Sequence, residues 1–329
     1  MKKIVIASYT PFINDIDDVI LKKYLENEGV IVDIISWDNF SYDWKSADCV
    51  IIRSVWDYHF ITDKFIKWLN YLKENKIKVL NSVDVIINNI LKNRQLKFLE
   101  EKDIPVINNR VFSKINKEAL LPENTLQETL KKHFPNIYKK NMFVIKPTIS
   151  ARGKNTFIIN LTENKNLKNE FKISEDAEAF FHEMINKKSK EGVIIEPFIS
   201  DISRGEYSLI YLNKKLSHAI LRYPGVLIKP KKEFILKKIP KVFKDLGKKI
   251  IKILPDDEVV YARIDMVYNG STAQVMELEL AEPDLYLRVI DGMGLEGENL
   301  PSNYIELIKE KKCNSKKMIN FIKGIISKI

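Results

Sequence analysis

VVYARIDMVYNGSTAQVMELELAEPDLYL, residues 259–287, holds two strand-like runs on either side of Asn269-Gly270, a dipeptide that favours hairpin turns. Side chains alternate along a strand. In the first run Tyr261, Arg263 and Asp265 therefore share one face, and Val260, Ala262, Ile264 and Met266 share the other. In the second run Glu277 and Glu279 oppose Met276, Leu278 and Leu280. The two acidic faces coincide only if the connection has an odd number of residues, such as Asn269-Gly270-Ser271 with a bulge. A two-residue Asn269-Gly270 turn sets Asp265 opposite Gln274 and points Glu277 away. Coincident faces bring three carboxylates together, which costs repulsion unless a hard cation such as Mg²⁺ lies among them. Taken alone, the pattern fits a solvated hairpin with a wet acidic face equally well.

At 329 residues the chain is long enough for two or three domains with ample core. Its net charge of +10 is spread over every segment, with no basic run interleaved with aromatics. That distribution favours anionic small ligands over nucleic acid. Cys49 lies in an apolar strand and Cys313 in a lysine-rich tail, so a disulfide framework is not expected. The N-terminal residues read as a first strand and not as a signal peptide. No apolar run approaches the roughly 18 residues of a membrane span. A reduced cytoplasm is the expected compartment.

Residues 3–7, 30–36, 49–53 and 78–80 read as short apolar strands, with helical patterns at 17–28 and 63–74 between them. This alternation predicts a small parallel sheet whose sites lie where strands end. The segment Arg53-Ser54-Val55-Trp56-Asp57-Tyr58 follows the third strand. Trp56 is expected in the core; Arg53 and Asp57 suit either a structural or a ligand-binding role. A helix is expected over 88–102, with Lys92 near its start. Met142-Phe143-Val144-Ile145-Lys146-Pro147 reads as a buried strand ending in a lysine, which needs an anionic partner. The small-residue loop 148–154 after it can offer backbone N–H groups to a phosphate. A helix over 174–188 is expected, with Ser174 as N-cap and His182 at its surface. Then follow the strand Val193-Ile194-Ile195-Glu196-Pro197-Phe198-Ile199, strands at 207–212 and 216–222, an amphipathic helix at 240–254, and closing helices near 304–310 and 317–326.

The ordered set resembles the ATP-grasp superfamily: a lysine in an early helix, a strand-end Lys146-Pro147 with a small-residue loop, a hinge carrying Glu196-Pro197-Phe198-Ile199, a later Gly205-Glu206, and Asp265 with Glu277-Leu278-Glu279 on a hairpin. The match covers roughly residues 80–290. Within the superfamily, Arg53 to Tyr58, Arg204 to Leu209, Ser217-His218-Ala219 and Met276 to Pro283 look most like the branch of prokaryotic glutathione synthetase and the cyclo-ligase of cycloserine biosynthesis. The resemblance implies an α/β (α+β ATP-grasp) chain: a pre-ATP-grasp domain at 1–85, then two α+β subdomains, 86–200 with the lid loop and 201–329 with the metal site, clasping the nucleotide.

It also implies roles. Lys92 and Lys146 would neutralise ATP phosphates beneath a lid running from Ser150 to Gly153. The backbone from Glu196 through Phe198 to Ile199 would read the adenine edge, and Glu206 would accept from the ribose hydroxyls. Asp265, Glu277 and Glu279 would hold Mg²⁺. Glu279 stands where the family often has Asn, which leaves one or two ions open. Arg263 would stabilise charge developing on the transferred phosphoryl group. Specificity would come from Arg53, Asp57, Arg222, Arg263 and Arg288, with Arg53 and Arg263 facing one cleft, while His218 reads as a satisfied structural histidine. The implied activity is an ATP- and Mg²⁺-dependent ligase that joins a small amino-acid-like or peptide-like carboxylate to an amine through an acyl-phosphate. No nucleic-acid or membrane partner is implied, and a homodimer is the default assembly. Alternatives are a kinase-like phosphotransferase on a small metabolite and a nucleotide-binding regulatory module without turnover.

Overall fold

Ile4 to Ala7 and Cys49 to Ile52 are buried at every position, as strands covered on both faces must be. In the computed structural model, which describes residues 1–13, 15–113, 125–135, 142–150, 155–160, 162–163, 171–172, 175–186, 192–223, 232–295 and 304–329, they are the two inner strands of a parallel sheet. The chain runs β1 (Lys3–Ser8), α1 (Ile16–Asn27), β2 (Ile31–Ser36), β3 (Cys49–Ile52), α2 (Thr62–Glu74) and β4 (Lys78–Leu80), in sheet order β2-β1-β3-β4. The helix expected over 88–102 is two helices, α3 (Val83–Asn89) and α4 (Lys92–Glu100), and Lys92 opens the second. The break falls where the Asn89 side chain bonds a later strand instead of facing its own helix.

Next come β5 (Arg110–Phe112), α5 (Leu126–His133), β6 (Met142–Pro147), β7 (Phe157–Asn160), β8 (Thr162–Glu163), β9 (Phe171–Lys172), α6 (Glu175–Asn186) and β10 (Val193–Pro197). The antiparallel sheet β5-β10-β6-β7 carries α5 and α6 over Phe112, Phe143, Ile145 and Val193, with Phe181 of α6 packed into the same core. Thr125 and Glu128 form a reciprocal capping box at α5. The Ser174 cap expected for α6 lies outside the described residues.

The last part runs β11 (Glu206–Leu212), β12 (Lys215–Tyr223), β13 (Lys232–Ile235), α7 (Lys241–Ile253), β14 (Tyr261–Asn269), β15 (Thr272–Glu279), α8 (Leu287–Ile290), α9 (Tyr304–Glu310) and α10 (Lys316–Ile326). Its five strands form an antiparallel sheet in the order β13-β12-β11-β14-β15. Gly247 of α7 meets this sheet closely: a Cβ there would lie 2.4 Å from the Tyr211 hydroxyl.

The chain forms two compact units, one of residues 1–90, 98–105 and 201–329 and one of 91–97 and 106–200. The N-terminal sheet and the C-terminal segment, expected as separate domains, therefore belong to one body. The reason is a shared core, in which Ile4, Ile20 and Leu25 join Ile210, Ile220 and Tyr261 and the closing residues Phe321 and Ile322. No helix among the described residues is long and apolar enough to cross a membrane.

Candidate functional site

The hairpin turn is a two-residue one, Gly270-Ser271, because Asn269 pairs with Thr272. Gly270 takes the positive φ of 65° that the turn requires. The odd residue lies in the strand: Met266 pairs with Val275 but Asp265 with Glu277, so Met276 is bulged out. That bulge corrects the expectation of an odd turn and has the same effect on facing. Asp265 lies opposite Glu277 and Arg263 opposite Glu279, all on one face. Ligand oxygens of Asp265, Glu277 and Glu279 lie within 4.8 Å of one another.

Register carries this face across the sheet. Ser208 pairs with Asp265, and Glu206 pairs with Arg222. Arg263 grips Asp265 through Nε at 3.0 Å and Nη2 at 2.9 Å and also bonds Glu279. Arg222 donates to Asp265 at 2.9 Å and to Glu206. Asp265 is 1% exposed. Against the penalty of burial, Arg222 and Arg263 hold its carboxyl well below the usual carboxylate range. Glu279 goes the other way. Burial raises its carboxyl well above the ordinary value, with Glu277 and Asp265 adding to the rise against the pull of Arg263. Burial likewise raises Glu206 against Arg222. The face thus sets four carboxylates against two guanidiniums, an excess of negative charge that suits a hard cation with oxygen ligands.

Beyond β15 the backbone is irregular, yet five carbonyls in a row accept from side chains. Asn81 donates to Leu280 at 2.7 Å and Tyr261 Oη to Ala281 at 3.2 Å. Trp56 donates to Glu282 at 3.2 Å, Arg53 to Pro283 at 2.9 Å and Arg263 to Asp284 at 3.4 Å. The loop after β3 thereby packs directly beside the acidic hairpin. Arg53 and Arg263 reach neighbouring carbonyls, but Arg53 is only 2% exposed and is paired with buried Asp18 at 3.4 Å. Trp56 is half-buried and not in the core; Val55 takes that place. The Asp57 carboxylate accepts from Trp37 Nε1 at 2.8 Å, and burial raises its pKa. Arg288 is committed to Asp17 and, through two bonds of 3.1 Å, to Asp284. His218 Nδ1 meets Ser217 Oγ at 3.0 Å, whereas its Nε2 is buried without a hydrogen-bond partner. Burial, then Lys317, pushes the imidazole down to about 4.

In the second unit the strand-end Lys146 has the anionic partner its burial demands. Its Nζ lies 2.9 Å from Glu196 Oε2, and Glu196 is 3% exposed. The Phe198 N–H is spent on the Met142 carbonyl at 3.0 Å. Ile199 follows at the exposed end of the strand, half-buried. Lys92 opens α4 with its N–H donated to the Thr148 carbonyl at 3.0 Å. Ser150 is buried, and Gly153 lies outside the described residues.

Sequence reasoning passed over the residues that hold this arrangement. Asn81 is fully buried and uses its amide four times: Oδ1 accepts from Val260 at 2.6 Å and Tyr261 at 3.3 Å, and Nδ2 donates to Tyr261 and Leu280. A lone Asn after a strand reads as a turn residue, so nothing in the pattern flags it. Asp17 and Asp18 look like ordinary acids at a helix start. Both are buried, and Asp17 accepts from the Leu287 and Arg288 N–H groups at 2.8 and 3.0 Å.

Residues 4–81 match the family described as the D-cycloserine synthetase DcsG N-terminal domain. No curated protein sequence matches the chain. Among solved structures, D-cycloserine synthetase DcsG is similar over 99% of both chains, with 16% identity and a TM-score of 0.72. The ATP-grasp ligase PsnB complexed with minimal precursor covers all of both chains at 13% identity and a TM-score of 0.59. D-alanine–D-alanine ligase from Bacillus anthracis covers 87% of this chain and 88% of its own, at 15% identity and 0.57. The chain has the fold of the ATP-grasp ligases, and the resemblance read from its sequence holds at that level.

Proposed function

We propose that this protein is an ATP- and Mg²⁺-dependent ligase joining a small amino-acid-like or peptide-like carboxylate to an amine. The observation that carries the proposal is the convergence of Asp265, Glu277 and Glu279 oxygens within 4.8 Å, interleaved with Arg263 and Arg222, on an ATP-grasp fold. The donor set fits the metal: all oxygen, negative in sum, with Asp265 kept ionised by two guanidiniums. Asp265, Glu277 and Glu279 would hold Mg²⁺, which would offset the repulsion among these carboxylates and neutralise charge on the ATP phosphates.

The chain's own groups then divide the work. Lys92 and Lys146 supply positive charge to the phosphates, and Glu196 fixes the Lys146 ammonium. The segment Glu196 to Ile199 reads the adenine edge, with Ser150 beside the phosphates, and Glu206 accepts from the ribose. A substrate carboxylate oxygen attacks the γ-phosphorus, the bond to the β-phosphate oxygen breaks and ADP leaves. The amine then attacks the acyl carbon, phosphate departs with the C–O electron pair and the nitrogen loses a proton. Arg263 stabilises the charge that develops in both steps. Arg222 and Arg263 orient the substrate carboxylate, with Arg53 and Asp57 as further contacts at the N-terminal loop. The relatives named for D-cycloserine and D-alanine–D-alanine synthesis support a small amino-acid-like substrate.

Hydroxylamine tests the reading, because it captures an acyl-phosphate as a hydroxamate. Hydroxamate that depends on ATP, Mg²⁺ and a carboxylate is expected. Phosphorylated acceptor without hydroxamate would make the protein a phosphotransferase instead.

A further inference from the structure

β15 carries two of the three carboxylates, yet it is the outer strand of its sheet and pairs with β14 alone among the described residues. An outer strand presents alternate N–H and C=O groups to whatever lies beyond it, and unless these are held the strand can twist or fray. Glu279 directs its backbone to Arg263 of β14, so the outward groups are those of Leu278 and Leu280. Asn89 takes both. Its Nδ2 donates to the Leu278 carbonyl at 2.6 Å and its Oδ1 accepts from the Leu280 N–H at 2.8 Å. One planar amide thus replaces a neighbouring strand across Glu279. Asn89 is the last residue of α3 and is 7% exposed, so no water competes for these groups. On the other side of the Met276 bulge the Val275 N–H is held by the Pro105 carbonyl at 2.9 Å. The bulge that turns Glu277 and Glu279 onto the acidic face is therefore pinned at both ends from outside the sheet.

We propose that Asn89 is a positioning residue for the metal ligands: by bracketing Glu279 it fixes the spacing of the Asp265, Glu277 and Glu279 carboxylates. The inference rests on the metal reading above. A buried strand edge needs hydrogen-bond partners in any case, and what singles out this one is its place astride a ligand, three residues after the bulge that sets the face.

The test is direct Mn²⁺ binding to the full-length protein, read as loss of the free-ion electron paramagnetic resonance signal, which requires no turnover. Wild type is expected to show a saturable site. Asn89→Ala should weaken it about 10- to 100-fold, the usual effect of removing a group that orients a metal ligand. Asn89→Gln keeps the amide but displaces it by one methylene and should weaken it less. Asn213→Ala, which removes bonds from the β11–β12 turn to the Asn320 and Phe321 carbonyls of α10, is the control for lost stability and should bind Mn²⁺ as wild type does. Wild-type affinity in Asn89→Ala, or an equal loss in Asn213→Ala, overturns the inference and leaves the metal reading standing. Should Asn89→Ala fail to fold, Asn89→Gln decides in the same way. If wild type has no saturable site, with or without a non-hydrolysable ATP analogue, the metal reading falls and takes the role of Asn89 with it.

Discussion

Glu279→Gln should leave the metal-free protein as stable as wild type or stabilise it while weakening its hold on Mg²⁺, and Asp265→Asn should damage both. The charges decide the signs. A contact ion pair near 3 Å at an effective dielectric of 20 is worth about 5.5 kcal/mol, and two like charges 4.8 Å apart repel by about 3.5. Asp265 meets two guanidiniums and two carboxylates. The balance is about 11 against 7 kcal/mol in its favour, so deleting its charge costs about 4, in line with other broken buried pairs. Glu279 meets one guanidinium and the same number of like charges. That balance runs about 1–2 kcal/mol against it before desolvation is added. The opposite pKa directions of the two groups follow the same division. The assay is thermal unfolding of wild type and both variants, in EDTA and in Mg²⁺ with ADP. In EDTA the Asp265→Asn transition should fall and the Glu279→Gln transition should hold or rise; the upward shift on adding Mg²⁺-ADP should shrink in both. A Glu279→Gln transition in EDTA lowered as far as that of Asp265→Asn would refute the reasoning.

Three other outcomes are expected. The unfolded chain takes up the His218 proton near the ordinary value of 6.5 and the folded chain only near 4, so stability falls as pH drops through that interval. The loss amounts to about 3 kcal/mol at its lower end, and His218→Gln should flatten the dependence in urea unfolding at pH 7 and 4.5. Asn81→Ala strands the Val260 N–H and the Leu280 carbonyl, at about 1–3 kcal/mol each, and its urea midpoint should drop accordingly. Lys146→Met should weaken ATP about 10- to 100-fold in a calorimetric titration, the worth of one charged hydrogen bond, and unchanged affinity would remove Lys146 from the phosphate role.

The acidic hairpin was legible because strand periodicity is local: Arg263, Asp265, Glu277 and Glu279 fall on alternating positions of runs with an apolar reverse. Its parity was legible only as a condition. A bulge at Met276 depends on partners outside the hairpin, and the residues themselves favoured a turn at Asn269-Gly270. The strand-end Lys146 announced its need for an anion, but naming Glu196 required the register between β6 and β10, a long-range fact. Arg53 shows the same limit. An arginine at the end of a parallel strand looks like a ligand residue, and its ion pair with Asp18 and its bond to the Pro283 carbonyl, both far away in sequence, exist only in the fold. Asn81 and Asn89 gave no signal at all, since their amides replace missing strand neighbours and that deficit exists only in the folded sheet.

The central claim is tested most directly by ADP release in the presence of Mg²⁺, measured against a panel of amino acids and small carboxylates with and without hydroxylamine, and with Asp265→Ala and Glu277→Ala as controls. Release that depends on one carboxylate, yields its hydroxamate and disappears in both variants is the predicted result. Tight, Mg²⁺-dependent ATP binding with no stimulated release and no hydroxamate from any carboxylate would contradict the ligase account.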